Sequence, residues 1–243
     1  MNFIISFFNI VLYQPFLNIL VALYVFLPGH DLGVAVILLT LIIKLILSPT
    51  SLKAAKSQKA LNKIQPKLKE IQNKYKDDKM KQSQEMMELY KKEKISPLSG
   101  CFPLIIQLPI LIALYQVFLR GLEPEALKSS LYSFVPQPGT LDLTFLGIIN
   151  LGQSSLVLAV MAGVLQFFHS KLSMSVSLGD KKDSKGFGSM MQKQMIYFFP
   201  FITVLIVWKL GSLIGLYWIV STLFSITEQY IIRKPWKEKK KKE

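Results

Sequence analysis

A run of twenty residues without a charge, residues 100–119, is the feature that most constrains how this chain can fold. About 20 apolar residues in an α-helix are what the hydrocarbon core of a bilayer requires. The run follows a lysine-rich segment and Ser96-Pro97, and Pro97 disfavours helical geometry at the residue before it. Pro109 lies inside the run and predicts a kink, because its ring removes a helical hydrogen bond. The sequence therefore predicts a kinked membrane span here.

Hydrophobic residues make up 51% of the 243-residue chain, and the mean hydropathy is +0.38, yet the net charge is +14. Both values are compatible because the charge is segregated. Residues 53–94 hold 13 lysines against 6 acidic residues, and residues 233–243 hold 7 basic residues against 2 acidic ones. This pattern is typical of a polytopic membrane protein with basic aqueous segments. Cys101 is the single cysteine, which excludes an intrachain disulfide and is interpreted as a small packing residue.

We predict an all-α polytopic membrane protein with five transmembrane helices, and we divide the chain accordingly. The segments are an N-terminal interfacial amphipathic helix (1–28), TM1 (29–52), a cytoplasmic helical hairpin (53–97), TM2 (98–120), an extracytoplasmic loop (121–152), TM3 (153–172), a cytoplasmic loop (173–192), TM4 (193–209), TM5 (212–232) and a basic cytoplasmic tail (233–243). The N-terminal run lacks the basic start and the cleavage site of a standard signal peptide. Polar residues and Pro15 interrupt it, which favours an interfacial helix, and a sixth span is the alternative.

The lysine bias predicts which segments face the cytoplasm. With five spans, the basic segments 53–94, 173–192 and 233–243 all fall on one side, and 121–152 falls on the other. The N-terminus is therefore expected outside and the C-terminus in the cytoplasm.

Residues 53–97 carry a helical apolar seam. The seam consists of Leu61, Ile64, Leu68, Ile71 and Tyr75. Asp77-Asp78 predicts a turn, and Met80, Met87 and Tyr90 predict a second, weaker seam on an antiparallel partner helix. One seam gives little core, so we expect the hairpin to move relative to the spans.

Lys44 is the most unusual residue in the predicted spans, because it is charged and lies in the middle of TM1. A lysine at the bilayer centre costs about 2.5–3.5 kcal/mol on insertion scales. It either lines a water-filled cavity or snorkels toward the cytoplasmic surface. Snorkelling is incomplete, because Lys53 is nine residues away, or about 13 Å of helix.

Other polar or aromatic residues in the spans have two interpretations each. Gln107, Gln166 and Thr203 line a cavity or form hydrogen bonds between helices. Tyr217 and Trp218 lie near the outer edge, where aromatic anchors are common. Glu228 is interpreted as the partner of a nearby basic residue such as Arg233.

Three motifs resemble those of the YidC/Oxa/Alb membrane protein insertases. They are the Ser-Pro-x-x-Gly-Cys, LIIQLPI and ALY elements of residues 96–115, the run LIIKLILSP of residues 41–49 against the family's LLIRLLxxP, and the run of residues 211–218 against P-x-G-L-x-L-Y-W, from which it departs near the turn. The chain is similar to the short form, without a large extracytoplasmic domain. Lys44 stands where the family usually has arginine, so the charge is kept and the bidentate fork is lost.

The resemblance implies that the five helices surround a hydrophilic groove and that the protein inserts and helps fold membrane proteins. The groove residues it implies are Lys44, Gln107, Gln166, Thr203, Tyr217 and Trp218. Contacts with the ribosome or with anionic lipid are expected from Arg233, Lys234, Lys237, Lys239, Lys240, Lys241 and Lys242. Expected partners are nascent membrane proteins, the ribosome, anionic lipids, the Sec translocon and the signal recognition particle receptor, and no cofactor, metal or catalytic residue is expected.

The alternative from another class is a small anion transporter or channel that uses Lys44 as its binding site. The chain shows no inverted repeat and no matching pair of broken helices, which weighs against that alternative. An enzyme is not expected, because the chain has no HExxH, GxSxG or P-loop motif. A passive assembly factor is a third possibility.

Overall fold

The computed structural model describes residues 2–96, 102–139, 141–174 and 187–233. Cys101, most of the 173–192 loop and the tail after Arg233 lie outside the described residues. The helices are α1 (Asn2–Phe8), α2 (Gln14–Phe26), α3 (Leu32–Lys74), α4 (Lys79–Lys92), α5 (Phe102–Gln116), α6 (Pro124–Ser130), α7 (Leu156–Met174), α8 (Phe187–Leu210) and α9 (Ser212–Arg233), and the strands are β1 (Thr144–Phe145) and β2 (Ile149–Asn150). The prediction of an all-α polytopic membrane protein is confirmed, apart from this two-stranded sheet.

The N-terminal helix is continuous, because the π-helical turn Asn9–Tyr13 joins α1 to α2. Its second half is part of the core, where Leu17 and Leu20 are fully buried. Its first half exposes large apolar residues such as Phe3 and Ile4. The stretch Phe3–Phe26 is long and apolar enough to cross a membrane. The interfacial helix and the sixth span therefore both stay predictions.

Helix α3 joins the first span to the basic hairpin without a break. Asp31 caps its N-terminus by accepting a hydrogen bond from the Val34 amide at 2.9 Å, and Pro49 and Pro66 lie inside it. At 1.5 Å per residue its 43 residues are about 64 Å long. The predicted boundary between TM1 and the hairpin, at residues 52–53, is therefore not a structural joint.

The basic hairpin, which we define as residues 53–96, is antiparallel. Lys67 and Glu93 form an ion pair of 2.7 Å, the only one among the described residues, and the Gln82 amide donates to the Gln72 carbonyl at 2.8 Å. Asp78 accepts from the Lys81 amide and begins α4, which confirms the predicted turn. In the first seam, Ile64 and Leu68 are buried.

The second predicted seam of the hairpin is wrong at its two methionines, whereas its third member, Tyr90, is half-buried. Met80 is 84% exposed and Met87 is 50% exposed. Met86 is half-buried instead, and its Sδ atom lies 4.0 Å from the side-chain amide of Gln72 on α3. The physical reason is that polar contacts from Gln82 and its neighbours set the rotation of α4, and the scattered methionines do not.

Residues 121–152, here called the cap, fold over one end of the helices. The chain leaves α5 through a π-helical turn, Val117–Gly121, and bends by 120° into α6. The strands β1 and β2 pair antiparallel, with Thr144 opposite Asn150. β1 packs directly on α3, because a Cβ built on Gly33 would be 2.2 Å from the ring of Phe145. The cap is therefore fixed to the start of the first span.

Helices α7, α8 and α9 pack against one another, and α9 also packs along α3. The α7–α8 contact is close at Gly163, where an added Cβ would be 2.3 Å from Val204. Among the described residues, three helices are long and apolar enough to cross a membrane, or four if the bent pair after Ile105 is one span. The apolar part of α8, Ile196–Leu210, is shorter. The count of five spans stays a prediction.

Candidate functional site

Lys44 lies on the face of α3 that meets α9. Its ammonium donates a hydrogen bond to the Ser225 hydroxyl at 3.2 Å. The side chain is half-buried between the two helices. A neutral hydroxyl does not neutralise the ammonium, so Lys44 brings a positive charge into this part of the helix bundle.

Glu228 lies one helical turn beyond Ser225, toward the basic hairpin. It is 7% exposed. Its carboxylate accepts a hydrogen bond from Ser48 at 2.7 Å, and the Ser51 hydroxyl lies 2.8 Å from both carboxylate oxygens. These partners are serines of α3, whereas the sequence suggested a basic partner such as Arg233. The side chain of Arg233 lies outside the described residues.

A second polar layer lies beside Glu228 and joins α3, α7 and α9. The Gln229 amide donates to the Ser173 hydroxyl and lies 3.2 Å from the Nε2 atom of His169. Asn62, which is buried in α3, donates to the Ser173 carbonyl at 3.1 Å. These bonds fix the start of the basic hairpin to the ends of α7 and α9.

Four of the predicted groove residues form two polar contacts on the cap side of Lys44. The Trp218 indole donates to the Gln166 carbonyl oxygen at 3.3 Å, which joins α9 to α7. The Gln107 amide donates to the Tyr217 hydroxyl, which joins α5 to α9. Tyr217 is only 2% exposed, so its interpretation as an aromatic anchor at the membrane edge is wrong.

Thr203 does not join these contacts. It is 1% exposed and donates its hydroxyl to the Phe199 carbonyl in its own helix. This bond within the helix gives the Thr203 hydroxyl a hydrogen-bond acceptor although its surroundings are apolar. Of the other predicted contact residues, the six lysines of the tail lie outside the described residues.

Helical spacing is the sequence signal that could have revealed Ser48, Ser51 and Ser225. Positions i, i+4 and i+7 lie on one helix face. Lys44, Ser48 and Ser51 have this spacing on α3, and Ser221, Ser225 and Glu228 have it on α9. Two polar stripes of equal length on two apolar helices predict a shared polar surface.

The arrangement provides the positive charge of Lys44 and, about one helical turn away, the carboxylate of Glu228 in a polar surface between apolar helices. A lysine ammonium acts as a point charge with three donors, and it attracts carboxylates without demanding a particular geometry. No cluster of histidine, cysteine or acidic residues that could hold a metal occurs in the described part of the chain. The chemistry available here is therefore electrostatic attraction and hydrogen bonding.

A family model and individual relatives of known name all match most of this chain. Residues 18–241 match the family model described as 60Kd inner membrane protein. A membrane protein insertase YidC of Fusobacterium nucleatum is 34% identical over 204 residues, which cover 84% of this chain and 87% of the relative. Another, from Francisella tularensis subsp. novicida, is 34% identical over 210 residues, which cover 86% of this chain. The chain spans only 34% of the length of that second relative.

Proposed function

Because this chain belongs to the 60Kd inner membrane protein family, we propose that it is a membrane protein insertase that draws substrate tails toward Lys44. The relatives that support this function are named membrane protein insertases. They do not favour the anion transporter, and the family is not a class of enzymes.

The protein is a multi-pass bacterial membrane protein, and we assign its orientation from the lysine bias. The basic hairpin and the tail face the cytoplasm, and the cap faces outward. The C-terminal end of the N-terminal helix lies on the outer side with the cap, because the Tyr24 hydroxyl accepts from the Asp142 amide at 3.0 Å. This holds for an interfacial helix and for a sixth span alike.

The observation that carries the proposed mechanism is the position of Lys44. Its charge lies inside the bundle, with a hydroxyl as hydrogen-bond partner. A substrate with a short acidic tail is attracted to this charge from the cytoplasm. The attraction offsets part of the cost of moving polar groups out of water. No nucleotide is needed for this step.

The apolar part of the substrate moves into lipid along α7 and α9. The apolar part of α8, Ile196–Leu210, is shorter than the hydrocarbon core requires, so the remaining barrier for the tail is short there. A membrane potential that is positive outside contributes about 2.3 kcal/mol for each negative charge per 100 mV. Apolar burial in lipid then makes the insertion favourable.

The basic hairpin and tail supply the expected contacts with the translation machinery. The hairpin carries 13 lysines between residues 53 and 94, and the tail carries 7 basic residues. Such segments bind the phosphates of ribosomal RNA or of anionic lipid. We extend the partners to the ribosome and anionic lipids on this basis, whereas the Sec translocon and the signal recognition particle receptor rest on the family resemblance alone.

The decisive experiment measures insertion of a small single-span substrate with an acidic tail into proteoliposomes that contain only this protein. We expect Lys44→Ala to impair insertion and Lys44→Arg to retain it. Lys171→Ala is the matched control, because Lys171 is an exposed lysine at the end of α7.

The outcomes separate function from mechanism. Insertion by the wild type that depends on Lys44 supports both. Equal insertion by wild type and Lys44→Ala keeps the function and discards the charged groove. Absence of insertion by any variant contradicts the insertase function and favours a passive assembly factor.

A further inference from the structure

Two opposite charges share the polar surface between α3 and α9, and the mechanism above uses only one of them. Lys44 contacts Ser225, and Glu228 contacts Ser48 and Ser51. The two contacts lie about one helical turn, or about 5 Å, apart, because Lys44 and Ser48 are four residues apart on α3 and Ser225 and Glu228 are three apart on α9. Opposite charges about one helical turn apart attract each other.

Glu228 is held by serine hydroxyls and not by a cation of the described residues. A buried carboxylate is costly unless it is hydrogen-bonded, and the two serine hydroxyls provide those bonds. Glu228 forms no ion pair with another described residue, since the ion pair of the described residues is Lys67–Glu93. The serines therefore keep the carboxylate near Lys44 without letting the two groups close on each other.

This arrangement opposes the attraction that brings an acidic tail into the site. A tail carboxylate at Lys44 lies within about two helical turns of Glu228, and like charges repel at that distance. The repulsion is larger for each added negative charge of the tail. A neutral tail is unaffected by it.

We propose that Glu228 is a specificity-determining residue that limits the preference of the site for acidic substrate tails. Glu228 is a negative charge close to Lys44, and the carboxylates of an incoming tail compete with Glu228 for the attraction of the Lys44 ammonium. It widens the range of tails that the site accepts, at the expense of the most acidic ones. This proposal rests on the proposed insertase function.

The test compares two single-span substrates that differ only in tail charge, one with two aspartates and one with two asparagines. Both are offered to the same proteoliposomes, so that any loss of folded protein cancels in the ratio of acidic to neutral insertion. Glu228→Gln keeps the size of the side chain and can keep hydrogen bonds to the serines. Glu88→Gln is the matched control, because Glu88 is an exposed residue of α4 and its loss changes the net charge equally.

We expect Glu228→Gln to raise the acidic-to-neutral ratio by about three- to tenfold, the order produced by one nearby unit charge in a hydrated site. Glu88→Gln should leave the ratio unchanged. An unchanged or lowered ratio in Glu228→Gln overturns the proposal, and so does an equal loss of both substrates, which indicates a purely structural role.

A second variant tests the holding function of the serines. The double variant Ser48→Ala/Ser51→Ala removes both hydroxyls that donate to the carboxylate, so Glu228 becomes free to approach Lys44. The ratio should then fall below that of the wild type, and a ratio at or above wild type contradicts the proposal. If the proposed insertase function is wrong, the wild type inserts neither substrate. If only the role of Glu228 is wrong, the wild type inserts both substrates and the ratio does not change as expected in the variants.

Discussion

Asn18 offers a direct test of how the N-terminal helix holds the cap. Its side chain is 3% exposed. It donates to the Ser130 carbonyl at 3.0 Å and accepts from the Tyr132 amide at 2.7 Å. Replacing Asn18 with alanine leaves both backbone groups of the cap without their partner.

The expected cost follows from these two bonds. Leaving a buried polar group unsatisfied costs about 1–3 kcal/mol, so two groups cost about 2–4 kcal/mol when partial relaxation is allowed. If the cap opens locally, 2 kcal/mol corresponds to an increase of about thirtyfold in the open population. Asn9→Ala is the control, because Asn9 lies in the same N-terminal helix and its side chain forms no hydrogen bond with another described residue.

The assay is hydrogen–deuterium exchange of the purified protein in detergent, read on peptides that cover residues 127–136. We expect exchange of the Val135 amide, which donates to the Tyr132 carbonyl at 2.9 Å, to accelerate at least about thirtyfold in Asn18→Ala. Exchange like that of Asn9→Ala would show that Asn18 does not hold the cap, and the reasoning would be refuted.

Three further predictions concern other parts of the chain. Gly163→Leu should separate α7 from α8, because even a Cβ would be 2.3 Å from Val204, and the melting temperature in detergent should fall, with no change if the helices repack freely. Lys67 lowers the pKa of Glu93 through its hydrogen bond and its charge. The contact therefore stabilises the hairpin fully at pH values above 4.5, the ordinary pKa of a glutamate, and this stabilisation is lost as the pH falls through the lowered pKa. Exchange protection of α4 should therefore decrease on acidification in the wild type, and Glu93→Gln should show the weakened state at all pH values. Deletion of residues 237–243 should weaken co-sedimentation with ribosomes and increase its loss with salt, and unchanged co-sedimentation would remove that role.

The helices and the charged residue of the site could be predicted from the sequence because both signals are local. Runs without charge set the position of α5 and α7, and one charge inside such a run identified Lys44. The local sequence could not decide whether Tyr217 is an aromatic anchor at the membrane edge or a residue of the groove. Its burial depends on α5, which lies more than a hundred residues earlier in the chain.

The polar contacts of the cap could not be predicted for a different reason. The partners of Asn18 are backbone atoms of residues 112 and 114 positions away, and backbone atoms leave no trace in the sequence. Asn18 therefore reads only as an interruption of an apolar run. The exposed Met80 shows the opposite error, in which an apolar residue suggested a contact that the packing of α4 does not make.

The unbroken α3 has a mechanical consequence. Lys44 and Lys74 lie on the same rod, 30 residues or about 45 Å apart. Pro49 and Pro66 lie between these two lysines, and each removes one backbone hydrogen bond, so the continuous helix can bend at two places. We therefore expect a sideways load on the tip of the hairpin to bend α3 at these prolines first and to displace Lys44 less than it would through a straight helix.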